Sequence, residues 1–230
     1  MTIKLTDVCK YYKGLEHQDD ALDWLEDKIL PRVMEEFARR YREDPLLEKE
    51  KLNKEYVTKS QLAHVWQCAE SLITDDEVRE LNYCLAKFDI TTTIRIRHFL
   101  AQTGHESGGG KWKTELSDGL YLRGRTDLGH GPYEGEVWKG AGYLQLTGKY
   151  NYQRLQDYLQ DNKVVSGGYQ YVADNYPFTS AGFWWMDNDM NALCDTYPSV
   201  TTVTLRVNGG TNGLADREEY FKRATEAIHD

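Results

Sequence analysis

Residues 104 to 148 interrupt a chain that is otherwise patterned for helix. The stretch is rich in Gly and Tyr, and its apolar residues do not recur at three- and four-residue steps. A loop region of this length inside a compact domain is usually functional. Helical patterning flanks it on both sides. Thr58-Lys-Ser-Gln61 and Thr74-Asp-Asp-Glu77 both fit the capping box, in which a Thr hydroxyl and a Gln or Glu side chain satisfy each other's backbone amides. Leu62, Val65, Trp66 and Ala69 follow the first box, and Val78, Leu81 and Leu85 the second. Thr91-Thr92-Thr93 can supply the N-cap of a third helix whose apolar content is Ile94, Ile96, Phe99 and Leu100. Beyond the interruption, helices are expected around 151–159, 180–187 and 214–228, with Trp184 and Trp185 packed in the core. The expected architecture is mainly α, with a loop-built cleft in the middle.

At 230 residues the chain fits one sizeable domain with a small appendage. Leu22, Leu25, Ile29, Val33, Phe37 and Tyr41 give residues 15–42 an amphipathic helix pattern, in which Pro31 predicts a kink or two helices. Residues 43–56 are charged and read as a linker or a solvated helix. Residues 1–55 are therefore expected to form a helical N-terminal extension of open role, and 56–230 the main domain.

The formal net charge of -9 argues against nucleic acid as a partner, since phosphate binding needs clustered Lys and Arg. It also gives no pull toward an anionic membrane surface. No apolar run reaches spanning length, and the N-terminus lacks the hydrophobic core of a secretory signal. The expectation is a soluble protein kept in a cytoplasm unless something else releases it. Cys9, Cys68, Cys84 and Cys194 form no zinc-type spacing and are expected to be reduced, with a Cys68–Cys84 bridge as the alternative. Neither a metal nor a cofactor is expected.

The chemistry concentrates where the third helix meets the interruption, at FLAQTGHESGGG (99–110). His105-Glu106 does not extend to H-E-x-x-H, because position 109 is Gly, so a zinc-protease reading is rejected. A carboxyl that follows an apolar helix can be partly desolvated and hold a proton at working pH, which suits Glu106 for general acid or base work. Glu115 lies nine residues on, among polar groups and Lys113 that favour its ionised form. Two carboxyls in opposed environments are what glycoside hydrolysis requires. Two solvated surface glutamates are the alternative.

Five blocks carry a resemblance: FLAQTGHESGG (99–109), YLRGRTDLG (121–129), WKGAGYLQLTGKYNY (138–152), AGFWW (181–185) and RVNGGTNGLADR (206–217). In this order they resemble glycoside hydrolase family 19, over about residues 57–230, and lean toward its phage and prophage endolysin branch. The resemblance implies a lysozyme-like α-helical domain of the family 19 chitinase type. It implies Glu106 as general acid and Glu115 as general base in an inverting reaction. It places Gln145 and Thr147 on the sugar or the attacking water, and Asn151 and Tyr152 on the acetamido sugar. Asn208 then lines the cleft, Arg217 orients a catalytic carboxylate, and His105 supports the substrate site by hydrogen bonding.

Alternatives stay open at several of these positions. Asp118, Asp127, Glu134 and Glu136 share the loops with Glu115, Gln145 and Thr147 could cap the helix near Asn151, and residues 208–213 could be a tight turn. Two departures stand out: Gly140-Ala141-Gly142 replaces the family's G-R-G, and Gly110 stands where an aromatic residue is common. The substrate implied is a β-1,4 polysaccharide containing N-acetylglucosamine. Peptidoglycan is favoured, for a monomeric endolysin that starts in the host bacterial cytoplasm and reaches the wall after membrane permeabilisation. A chitinase and a non-catalytic wall-binding phage protein are the alternatives.

Overall fold

The computed structural model describes Pro31 and residues 45–229. The amphipathic pattern at 15–42 lies outside the described residues apart from Pro31, which is helical and exposed; Cys9 also lies outside. The chain divides into two compact units, residues 1–51 and 52–230. The charged stretch between Pro45 and Leu52 is helix α1, with Lys49 and Glu50 exposed.

In the second unit the capping boxes form as patterned. Helix α2 (Lys59–Trp66) starts where Gln61 N donates to Thr58 Oγ1 at 3.2 Å and Thr58 N to Gln61 Oε1 at 2.8 Å. Helix α3 (Asp75–Lys87) repeats the exchange, with Glu77 N to Thr74 Oγ1 and Thr74 N to Glu77 Oε2 both at 3.1 Å. Such a cap is worth about 1 kcal/mol. Asp75, Asp76 and Glu77 in the first turn and Lys87 in the last also suit the helix dipole. Helix α2 stops at Trp66 because Gln67 turns left-handed (φ 52°), so Ala69 falls off the apolar stripe and is exposed.

Helix α4 (Thr93–Ser107) buries Ile96, Phe99, Leu100 and Ala101. Thr92 occupies its N-cap, without a side-chain capping bond. The helix continues past Gly104, where the sequence pattern fades, and is closed by left-handed Gly108. His105 and Glu106 therefore ride on its last turn rather than in a loop.

Helices α5 (Lys149–Leu159), α6 (Lys163–Asn175), α7 (Pro177–Asp187), α8 (Met190–Cys194), α9 (Val200–Asn208) and α10 (Leu214–Ala227) follow. Three of them escape the sequence pattern for identifiable reasons. A glycine pair interrupts α6, and Gly168 breaks its backbone at φ 61°, ψ -153°. Helix α8 is barely more than one turn. Helix α9 is rich in Val and Thr, whose β-branches lower helix propensity, and relies on Ser199 Oγ accepting from Thr202 N at 3.1 Å.

The core is aromatic. Phe178 meets Trp66 at 5.7 Å and Tyr143 at 4.5 Å between ring centroids, and Trp185 stands edge-on to Phe99 at 5.3 Å. Each such pair adds about 0.5–1.5 kcal/mol beyond area burial. Trp185 is fully buried, while Trp184 packs only partly against this cluster. Cys68, Cys84 and Cys194 are free thiols, so the alternative of a Cys68–Cys84 bridge is not realised. No helix among the described residues is long and apolar enough to cross a membrane.

Residues 108–148 contain no named strand. They are held by two 3-10 turns (Leu120–Leu122 and Thr126–Leu128) and by the isolated bridges Thr114–Ala141 and Ala141–Leu146. Tethers to the helices do the rest. Tyr169 N donates to Val137 O at 2.9 Å, and Tyr143 N to Pro177 O at 3.0 Å. His130 is buried and bridges two segments, Nδ1 donating to Leu122 O at 2.9 Å while Nε2 accepts from Lys149 N at 3.1 Å. A carbonyl can only accept and an amide N–H can only donate, so these partners fix a neutral ring with its proton on Nδ1. Glu77 reaches the loops from α3, accepting from Tyr143 Oη at 2.9 Å and pairing with Lys113 at 2.7 Å. Burial pushes the Glu77 carboxyl up, but Lys113, the Thr74 amide and the Tyr143 hydroxyl together hold it below its ordinary range.

Candidate active site

The last turn of α4 faces the first turn of α10, and two consecutive residue pairs join them. His105 Nδ1 lies 2.7 Å from Asp216 Oδ2. One residue on, Arg217 Nη2 donates to Glu106 Oε1. Arg217 is 1% exposed, so its charge is compensated inside the protein rather than by water. Its Nη1 donates to Gln102 Oε1 at 2.5 Å and its Nε to Asn212 O at 3.4 Å. The Glu106 side chain keeps 27% exposure and so remains open to a ligand. Its setting is an ion pair, where the sequence led to an expectation of apolar surroundings.

Glycine at 213 makes the approach of α10 feasible. A Cβ there would stand 2.0 Å from His105 Cε1, and φ is +69°. The turn reading of residues 208–213 is thus realised, with Gly209 and Gly213 both left-handed. Asn208 closes α9 and is exposed.

Glu115 sits on the loop wall. Its backbone N donates to Gly140 O at 2.8 Å, and its Oε2 accepts from Gly140 N at 3.1 Å. Its Oε1 accepts from Tyr121 Oη at 2.8 Å. Burial, reinforced by the Glu115 carboxylate, pushes the Tyr121 phenol up. The rival loop carboxylates have local partners. Arg125 holds Asp127, Lys149 holds Glu134 and Arg123 holds Glu136, while Asp118 Oδ1 accepts from Leu120 N at 3.0 Å. Asp127, Glu134 and Glu136 are thus tied to cations, whereas Glu115 and Asp118 have only neutral donors in the hydrogen bonds just described.

Gln145 has a left-handed backbone (φ 53°), a conformation that costs a residue with a side chain about 1–2 kcal/mol. Such strain clusters at functional sites. Its Nε2 donates to Gly142 O at 3.1 Å, and a Cβ on Gly140 would stand 2.5 Å from its Oε1, which puts Gln145 beside the Glu115 backbone contact. Thr147 Oγ1 donates to Gln145 O at 2.8 Å. Neither residue caps α5, whose N-cap is Gly148 without a side-chain bond. Asn151 turns back to Thr147 O at 2.8 Å. Tyr152, expected on the sugar, is instead fully buried, and its hydroxyl donates to Lys139 O at 2.7 Å. It braces the wall from behind, since α5 begins at Lys149 and turns this residue inward.

Both departures from the family pattern have a structural reason. Ala141 is fully buried between its two bridges, so an arginine has no room there. Gly110 (φ +80°) packs on the Trp66 ring, where a Cβ would come within 2.3 Å of Cζ3, so no larger residue fits. Gln102, Tyr121 and the Gly140 amide were not anticipated. Gln102 had one readable signal, its position four residues before Glu106 on one face of a helix.

No family model matches the chain. Over 160 residues it is 29% identical to a protein of Haemophilus influenzae described as a glycosyl hydrolase family 19 domain-containing protein, covering 54% of this chain and 75% of that one. It is 26% identical to the acidic endochitinase of Petunia hybrida over 160 residues, covering 59% of this chain and 62% of the relative, so it spans less than two thirds of that enzyme. Chitinase C from Streptomyces griseus HUT6037 superposes with a TM-score of 0.59 at 18% identity, over 76% of this chain and 94% of that one. The chain has the mainly helical, lysozyme-like fold of the family 19 chitinases. These likenesses support a glycoside hydrolase.

Proposed function

We propose that this chain hydrolyses β-1,4 glycosidic bonds beside N-acetylglucosamine by an inverting acid–base mechanism, with peptidoglycan as the polymer and an endolysin role. The observation that carries this reading is the unequal support of two carboxyls. Glu106 is held by a buried arginine, and Glu115 by an amide and a phenol. Glu106 gives its proton to the leaving glycosidic oxygen as the C1–O bond breaks, and the bonding electrons stay on that oxygen. Arg217 stabilises the negative charge that Glu106 then carries, an interaction that strengthens toward the transition state. Glu115 takes a proton from a water whose oxygen bonds to C1 from the opposite face. The products are a hemiacetal inverted at C1 and a free hydroxyl, and proton exchange with solvent resets both carboxyls.

Peptidoglycan is favoured by the closeness of Glu115 to Glu106 in sequence, the pattern of the phage and prophage branch. In this reading a monomer, synthesised in a bacterial host, reaches the wall after membrane permeabilisation. A chitinase reading is favoured instead by the similarity to the Petunia endochitinase and to Streptomyces chitinase C. Purified peptidoglycan and chitin oligomers digested side by side, with product masses, reducing ends and anomeric configuration determined, decide between them. Glycosidic cleavage of peptidoglycan with inverted products is expected. Intact bonds in both polymers would refute the hydrolase reading, and cleavage of chitin alone would reassign the substrate.

A further inference from the structure

We infer that Gln102 is a positioning residue for this site, acting on Glu106 through Arg217; the inference rests on the assignment of Glu106 as the acid. Gln102 and Glu106 lie four residues apart on α4 and share one guanidinium from α10. Gln102 is fully buried, and so is Thr204 of α9, toward which Gln102 Nε2 points at 3.4 Å from Oγ1. The orientation of the amide is fixed by chemistry. Arginine has no acceptor, so Oε1 must face Arg217 and the NH2 group must face Thr204. The result is a buried chain, Thr204–Gln102–Arg217–Glu106, that joins three helices at the acid.

What the amide supplies is an acceptor without a charge. An arginine at 1% exposure needs partners for its N–H groups, because an unsatisfied buried donor is costly. A carboxylate at position 102 would meet that need but would compete with Glu106 for the single positive charge. An aliphatic side chain would leave the charge to Glu106 but free the guanidinium to swing. Glutamine holds the fork still and leaves its charge to the acid. His105 and Asp216, the neighbouring titratable pair at this end of α4, bond each other, and α9 contributes the uncharged Thr204.

Three variants of the full chain test this. In Gln102→Glu, the midpoint of the Glu106 titration, followed by 13C NMR of the carboxyl carbon, should move upward by about one pH unit. The high-pH limb of the rate profile should move with it. An unmoved midpoint in a folded Gln102→Glu protein would overturn the inference. The titration needs no turnover, so it separates failure of this inference from failure of the hydrolase reading, which appears as intact bonds in both polymers, and from failure of the Glu106 assignment, which appears as full activity in Glu106→Gln. Gln102→Leu should lower kcat by about tenfold or more with KM nearly unchanged, because the acid is misplaced while the cleft is intact. If Gln102→Glu does not fold, Thr204→Val carries the test: a fall in kcat of several-fold at constant KM is expected, and an unchanged kcat overturns the inference.

Discussion

Arg217, buried to 1% exposure, donates to the carboxylate of Glu106 across the α4–α10 contact. Removing Arg217 takes the charged partner from Glu106, whereas removing Glu106 leaves Arg217 with Gln102 and Asn212. Glu106→Gln keeps the shape and a hydrogen-bond acceptor while deleting the acid. Hydrolysis should vanish while circular dichroism and the melting curve stay near those of the parent. Arg217→Met strands the carboxyl and should cost about 3–5 kcal/mol of stability. Arg217→Lys keeps the charge but loses the fork, and kcat should fall by about tenfold or more. Retained lysis by Glu106→Gln would remove Glu106 from the mechanism.

Tyr121 gives a finer test of the second carboxyl, since its hydroxyl donates to Glu115 Oε1 at 2.8 Å. Losing that donor makes Glu115 easier to protonate, so the low-pH limb in Tyr121→Phe should move upward by about half a unit. Glu115→Gln should abolish turnover outright. A modest loss in Glu115→Gln would transfer the base role to another loop carboxylate, and the ion-paired Asp127, Glu134 and Glu136 could then be screened by the same substitution.

Gly213 and Gly110 are two positions near the site at which a single methyl group should do harm. Gly213→Ala would place a Cβ 2.0 Å from the His105 ring in a left-handed backbone, displacing the His105–Asp216 pair beside the acid. A loss of about 1–3 kcal/mol is expected, together with reduced kcat. Gly110→Ala would strike the Trp66 ring and should show a comparable loss of stability. A melting temperature unchanged in both variants would contradict the packing described.

His98 predicts the acid side of the stability profile. Burial pushes its imidazole down from 6.5 to about 4, and the ring lies tilted against Phe221 with centroids 4.4 Å apart. Between those two pH values the unfolded chain binds the proton more readily than the folded one. Stability contributed by neutral His98 is therefore fully present above about pH 6.5 and is lost as pH falls toward 4, by up to about 3 kcal/mol. The melting temperature should drop across that window, and His98→Phe should flatten the drop. An equally steep drop in the variant would assign it to other groups.

Local chemistry along the chain was enough to specify the helical framework. The Thr58 and Thr74 capping boxes, the apolar periods that follow them and the Gly-rich break after α4 all act within a few residues, so they are legible in one dimension. The same is true of the candidate carboxyls, because Glu106 and Glu115 are close in sequence and differ in their neighbours. Helix α9 was not legible, because its Val- and Thr-rich segment is helical only through its cap and its packing against α4 and α10. Of the partners of the acid, Arg217 was anticipated only through the family resemblance, and Gln102 not at all. Arg217 and Gln102 lie 115 positions apart and meet only when α10 crosses α4. Tyr152 shows the same limit from the other side: its motif placed it on the sugar, but the start of α5 turned it into the core. Sequence determined which groups can carry the chemistry. Tertiary structure decided which of them share a charge, because a hydrogen-bonded pair depends on distance in space, which the order of residues does not encode.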